Sequence, residues 1–255
     1  MYPDVVELRS FYESPLGRVS ARLIRRKLRH LWQDHRGLDI LGLGYAIPYL
    51  GLFQEHARCN IALMPAAQGV IHWPRHVQTD TSTPPQRQGN LVALTDEQRL
   101  PLADDSMDRI LLSHILENTE NTRALLREVW RTLTPGGRLL VIVPNRLGFW
   151  ARAERTPFGA GRPFSAQQLR LMLADSMLTP TRTACALTLP PYENRVLLKS
   201  MVFMEKSMEQ WCRNFAGVLI VEAEKQIYAA NPRRGLKQSL IPAIKTAQNL
   251  ACDHD

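Results

Sequence analysis

The sequence predicts an α/β domain built on a parallel sheet, and three observations carry that reading. A strand, helix, strand order runs without interruption through residues 91–145. The strands on either side of that helix, 110–112 and 139–143, are apolar throughout, as strands covered on both faces are. Earlier, residues 38–53 read as a short apolar strand, a glycine turn and a helix start. Parallel neighbours need a crossover connection, and an amphipathic helix between two fully apolar strands supplies it.

Each element has a local reason. Residues 38–46 carry the first strand into the turn Gly42-Leu43-Gly44-Tyr45, and Pro48 suits the first turn of the helix that follows. Such a turn is expected to let the backbone come close to a ligand, with helix N–H groups nearby as donors. Ile61 to Met64, stopped by Pro65, is the second strand, and residues 90–94 are the third, ending at Thr95-Asp96-Glu97. Asp104-Asp105-Ser106 is a turn, Asp108 precedes the fourth strand, and Ser113 and His114 stand at its carboxyl end, where side chains meet ligands. From Thr122, Leu125, Leu126, Val129 and Leu133 recur at helical spacing with Arg123, Arg127, Glu128 and Arg131 opposite. Pro135-Gly136-Gly137 is expected to stop that helix. Ser165 with Gln168 reads as a capping box opening another helix, with Leu169, Met172 and Leu173 on its apolar face.

The chain of 255 residues is 45% hydrophobic and suffices for one α/β domain with additions. Three parts are expected: a basic helical extension over 1–36, the α/β domain over 37–228 and a loosely attached tail over 229–255. No run approaches the ~20 apolar residues that cross a bilayer and no signal-peptide core is visible, so a cytoplasmic protein is expected. Cys59, Cys185, Cys212 and Cys252 are far apart, and His72 and His76 have Pro74 between them. No disulfide framework and no metal site are expected. The net charge of +8 is densest over 18–36, where Arg22, Arg25, Arg26, Lys27 and Arg29 alternate with Leu23, Ile24, Leu28, Leu31 and Trp32. That pattern predicts a helix covering the sheet with a solvated basic face; RNA, anionic lipid or an acidic partner are the alternative uses of the charge.

The segment 96–108, the strand running to Ser113-His114-Ile115-Leu116-Glu117, and 133–140 resemble the class I S-adenosylmethionine-dependent methyltransferases of the small-molecule (type 11) kind. The likeness extends over roughly 37–189 and is most specific over 94–145. It implies a three-layer, Rossmann-like, seven-stranded sheet, mostly parallel with an antiparallel last strand. Residues 178–189 would then hold the sixth strand and 216–223 the last. It also implies S-adenosylmethionine as cofactor, held by Gly42, Gly44, Tyr45, Leu63, Met64, Asp96, Glu97, Ser113 and His114. The family's acidic residues before the glycine turn and at the second strand's tip have no counterpart: Ile40 stands two before Gly42, Asp39 is displaced by one, and the second strand ends in Ala62, Leu63 and Met64. The motif is degenerate there, whereas Asp96 keeps the acidic position after the third strand.

Methyl transfer to a small molecule is the leading expectation. A transfer-incompetent binding module and a nucleic-acid binder or RNA methyltransferase are the alternatives, while the oligomeric state is unspecified. A nicotinamide enzyme is disfavoured because Ile47 stands where a third glycine belongs. No catalytic residue is singled out, since a positioned acceptor needs a base only if it loses a proton on attack. His114 and Asn145 are candidates for polar roles, and 148–164, with Phe149, Trp150, Phe158 and Phe164 among Arg152, Arg155 and Arg162, for a lid over an acceptor. Gly44→Val is expected to block the cofactor and leave the fold intact.

Overall fold

The computed structural model describes residues 2–74, 90–191 and 215–226. Seven strands form one sheet: β1 (Asp39–Gly44), β2 (Cys59–Pro65), β3 (Val92–Thr95), β4 (Met107–Ser113), β5 (Leu133–Pro144), β6 (Leu178–Ala186) and β7 (Val218–Lys225). Their order is β3-β2-β1-β4-β5-β7-β6. The first five pair in parallel, and β7 lies antiparallel between β5 and β6.

Alternation along the strands divides the core in two. Ile40, Met64, Leu111, Leu140 and Ile142 face one side with α1 (Val5–Glu13), α2 (Pro15–Leu31) and α3 (Ile47–Leu50). Leu41, Leu43, Leu63, Ile110, Leu112 and Val141 face the other with α4 (Thr122–Thr132) and α5 (Ala166–Asp175). A strand that is apolar at every position is the sequence signature of this burial on two faces.

The basic stretch forms α2, which starts three residues before Arg18. Pro15 occupies its first turn, and the Ser14 hydroxyl accepts the Gly17 N–H. Its Leu23, Ile24 and Leu28 are buried in the first core, and Trp32, which caps it, lies there too. Arg18, Arg22 and Arg29 remain exposed. Arg25 Nε donates to the Pro48 carbonyl at 2.5 Å and ties α2 to α3.

Where boundaries differ from expectation, identifiable interactions decide them. Helix α4 stops at Thr132, before the Pro-Gly-Gly, because Leu133 already pairs with Met107 on β4 and the residue before Pro135 is driven out of the helical region. Strand β3 starts at Val92 because Asn90 is occupied by local bonds: its side chain donates to the Val92 carbonyl at 3.0 Å and accepts the Trp73 N–H at 3.2 Å. The helix after the glycine turn is a single turn, Ile47–Leu50, followed by consecutive turns to His56. The capping box forms as Ser165 and Gln168 predict.

No helix among the described residues is long and apolar enough to cross a membrane, and no cluster of His, Cys, Asp or Glu there is arranged to hold a metal. Cys59 and Cys185 are free thiols. His76, Cys212, Cys252 and the expected tail lie outside the described residues.

Candidate functional site

The glycine turn and the β4 tip adjoin because β1 and β4 are neighbours: Gly44 is the register partner of Ser113. Gly44 has φ +79°, and a Cβ there would stand 2.3 Å from the Ser113 carbonyl oxygen and 2.8 Å from Ile115 Cβ. A Cβ on Gly42 would meet Leu50 Cδ1 at 2.6 Å and Ala46 Cβ at 2.8 Å. The Cβ side of both glycines is therefore filled by the chain itself. Gly44→Val would strike backbone before it reached a cofactor, so it cannot block a site and leave the fold intact.

The polar chemistry sits beside the turn, at the end of β4. His114 has φ +53°, a left-handed conformation seldom taken by residues other than glycine, and is 1% exposed. Its Nε2 lies 2.8 Å from the Tyr12 hydroxyl, which lies 2.9 Å from the Tyr49 hydroxyl. Its Nδ1 lies 3.3 Å from Glu117 Oε1, near enough to pair but not aligned as a hydrogen bond. Burial, followed by the nearby tyrosines and Glu117, raises the Tyr12 hydroxyl well above its ordinary pKa, so at neutral pH it keeps its proton. With Nδ1 facing a carboxylate, the electrostatically favoured tautomer carries its proton there and leaves Nε2 to accept the Tyr12 O–H.

Gln68 and Asn118 both donate to the His114 carbonyl, at 3.2 and 3.4 Å. Among the described residues, Gln68 Oε1, Ser113 Oγ, Asn118 Oδ1 and both Glu117 oxygens are buried without a hydrogen-bond partner. Buried polar groups are nearly always satisfied, so five unmet oxygens, four of them on side chains gathered around His114 and the fifth on the residue before it, are a departure that calls for a cause.

Two segments close over this cluster. Helix α1 crosses the strand tips: the Val5 N–H donates to the Gln68 carbonyl at 2.9 Å, and the Tyr12 ring stacks on Tyr45 at 5.6 Å. Just before α1, the Tyr2 hydroxyl donates to Glu97. From the other side come the single 3-10 turns Phe149–Arg152 and Pro157–Gly159. Phe158 packs on His114 at 5.0 Å and on Phe11 at 6.1 Å, and the Arg162 N–H donates to the Glu117 carbonyl at 2.8 Å.

Gly44, Tyr45, Ser113 and His114 thus come together. Leu63 and Met64 lie on opposite faces of β2, one in each core, and Pro65 rather than Met64 forms the strand's tip. Asp96 is exposed beyond β3, its Oδ1 accepting the Gln98 N–H at 2.9 Å. Glu97 is held by its own chain, accepting from Tyr2 and, at 2.5 Å, from the Thr119 hydroxyl. Tyr12, Gln68, Glu117 and Asn118, none of which was expected as a cofactor contact, join the cluster at His114. Glu117 had a signal, three residues after a strand-tip histidine, whereas Tyr12 had none.

The donor set matches one kind of ligand. A buried cluster with a carboxyl group and a surplus of oxygens complements a molecule that brings positive charge and O–H or N–H groups, as a sulfonium nucleoside with an ammonium and ribose hydroxyls does. The residues present therefore fit S-adenosylmethionine. Sheet order and crossover helices are those of the class I S-adenosylmethionine-dependent methyltransferase fold. More particularly, residues 42–141 match the model of a methyltransferase domain.

Relatives and solved structures agree at that level. A demethylmenaquinone methyltransferase of Corynebacterium efficiens is 29% identical over 143 residues, 55% of this chain and 56% of that protein. Another, of Mycolicibacterium paratuberculosis, is 50% identical over 46 residues, 18% of this chain and 20% of that protein. The chain thus matches from a fifth to just over half the length of these relatives. A Thermotoga maritima structure described as an S-adenosylmethionine-dependent methyltransferase, possibly acting on histamine, superposes with a TM-score of 0.58. It is 15% identical and covers 87% of this chain and 96% of its own. A Mesorhizobium loti methyltransferase structure gives 0.51 at 15% identity, covering 78% and 96%. At such identities these structures speak for the fold.

Proposed function

We propose that the protein methylates a small molecule at an oxygen or nitrogen that gives up its proton during attack, with His114 as the base and Glu117 as the residue that orients it. The observation that carries this reading is the buried Tyr12 hydroxyl seated on His114 Nε2 at 2.8 Å, with Glu117 behind the ring at 3.3 Å. The phenol stands where an acceptor's O–H would be received. S-adenosylmethionine, when bound, supplies a methyl group already made electrophilic by its sulfonium. The protein's own work is then to orient the acceptor, exclude water beneath Phe158 and α1, and take one proton at Nε2. The charge left on the imidazole is met by Glu117. A small-molecule acceptor accords with the demethylmenaquinone methyltransferases among the relatives and with the enclosed position of the base.

Calorimetry with S-adenosylhomocysteine tests the cofactor half. Saturable binding is expected, and absence of heat at millimolar ligand in both the wild type and Tyr12→Ala would return the chain to a binding module without transfer. For the base, 4-nitrophenol added to the S-adenosylhomocysteine complex is expected to bind as its phenolate. Glu117→Gln should reduce the phenolate fraction about tenfold; an unchanged fraction removes Glu117 from the role.

A further inference from the structure

A second polar site lies at the opposite, amino-terminal ends of the strands. A cavity of about 440 Å³ under the end of α2 is lined by Arg36, Arg109, Arg138, Arg182, Asp34 and Trp32, among others. Arg109 on β4 and Arg138 on β5 are register partners, and like charges directly opposite across a strand pair repel. Their compensation is incomplete. Arg182 takes both oxygens of Glu222, at 2.6 and 2.9 Å, so Arg138 reaches that carboxylate only at 3.6 Å. Arg109 Nη1 donates to its own neighbour's carbonyl, that of Asp108, at 2.9 Å, while its Nε is buried with no partner. Four guanidinium groups face Asp34, Asp108 and Glu222, which leaves one positive charge in excess.

We propose that this cavity binds a phosphate-type anion, gripped by Arg109 and Arg138 with Arg36 at the rim. A phosphate answers the excess positive charge, and its tetrahedral oxygens can accept the unpaired Arg109 N–H and the remaining donors of Arg138 together. The site is separate from methyl transfer, because Arg109 and Ser113 are four residues apart on β4, about 13 Å along the strand. Its ligand is therefore an effector or anchor rather than the acceptor, and the proposal stands whether or not the chain transfers methyl groups.

The test is thermal unfolding of the full chain with inorganic phosphate, and in parallel with glycerol 3-phosphate, against chloride at equal ionic strength. The midpoint is expected to rise saturably, by about 5–10 °C once phosphate reaches about a hundred times its dissociation constant. A larger shift with glycerol 3-phosphate assigns the site to a phosphomonoester, and an equal one to the free ion. Arg109→Gln and Arg138→Gln should each weaken the effect at least tenfold, while Arg127→Gln, on the exposed face of α4, should leave it intact. Without phosphate, Arg109→Gln should unfold at the same temperature as the wild type or higher, since it relieves repulsion. A phosphate shift no larger than that of chloride, a shift that survives Arg109→Gln, or a lowered midpoint for Arg109→Gln in chloride overturns the proposal.

Discussion

Replacing Gly44 by alanine separates what the glycine turn does for the fold from what it does for a ligand. Two costs add. A side chain at φ +79° costs about 1–2 kcal/mol for its conformation alone. The new methyl also lies 2.3 Å from the Ser113 carbonyl oxygen, in the β1–β4 ladder, and forcing atoms into a filled core costs roughly 1–3 kcal/mol more. The sum, about 2–5 kcal/mol, is a large share of the ~5–15 kcal/mol that holds a domain together. Gly37 is the control: its φ is +69°, yet a Cβ there meets nothing within 4 Å. Urea unfolding followed by circular dichroism should place Gly44→Ala well below Gly37→Ala in midpoint, with slopes unchanged. Equal midpoints would refute the collision.

Other perturbations address the rest of the structure. Glu117→Gln replaces a buried carboxyl whose oxygens have no hydrogen-bond partner, so it should leave the unfolding midpoint unchanged or raise it while weakening S-adenosylhomocysteine binding; a clear loss of stability would mean that the carboxyl serves the fold. Leu28→Ala should cost about 2–5 kcal/mol in urea unfolding, because Leu28 is fully buried where α2 meets the sheet, and a cost below 1 would mean that α2 is only loosely applied. Burial favours the neutral form of Glu222, but Arg182 and Thr181 outweigh it and hold the carboxyl below the ordinary glutamate range. Its contribution is therefore present above about pH 4.3, the unfolded value, and is lost as pH falls through the lower folded value. Unfolding midpoints between about pH 3 and pH 7 should fall less steeply on the acid side in Glu222→Gln than in the wild type. Ser165→Ala should cost about 0.5–2 kcal/mol through loss of the α5 cap, read by the same unfolding curves.

Much of the architecture is legible where pattern and punctuation agree. The apolar runs of β4 and β5 and the 3.6-residue rhythm of Leu125, Leu126 and Val129 fix a crossover unit from sequence alone. The likeness to known methyltransferases supplied the strand count and the antiparallel strand, which no local period encodes. The site was half legible. Gly44, Ser113 and His114 follow from strand ends, because a parallel sheet gathers its carboxyl ends on one side. Tyr12 could not be read, since its hydrogen bond to His114 spans 102 residues and rests on how α1 crosses the strand tips. Nor does composition tell an open glycine turn from one whose vacant side is filled by Leu50 and Ile115; that depends on sub-ångström register. The arginine cavity was hidden likewise, because Arg109 and Arg138 become neighbours only through the pairing of β4 with β5.

The strand order also governs how the chain can be made. β6 joins the sheet only through β7, and Val218 follows its partner Ala186 by 32 residues. During synthesis β6 emerges with no edge to join, while β5 waits with one side uncovered. Both are satisfied only when the last strand slides between them. A chain ended before Val218 would expose two unpaired β-edges at once, the kind of surface through which polypeptides stick to one another, so recovery of soluble protein depends on the last strand.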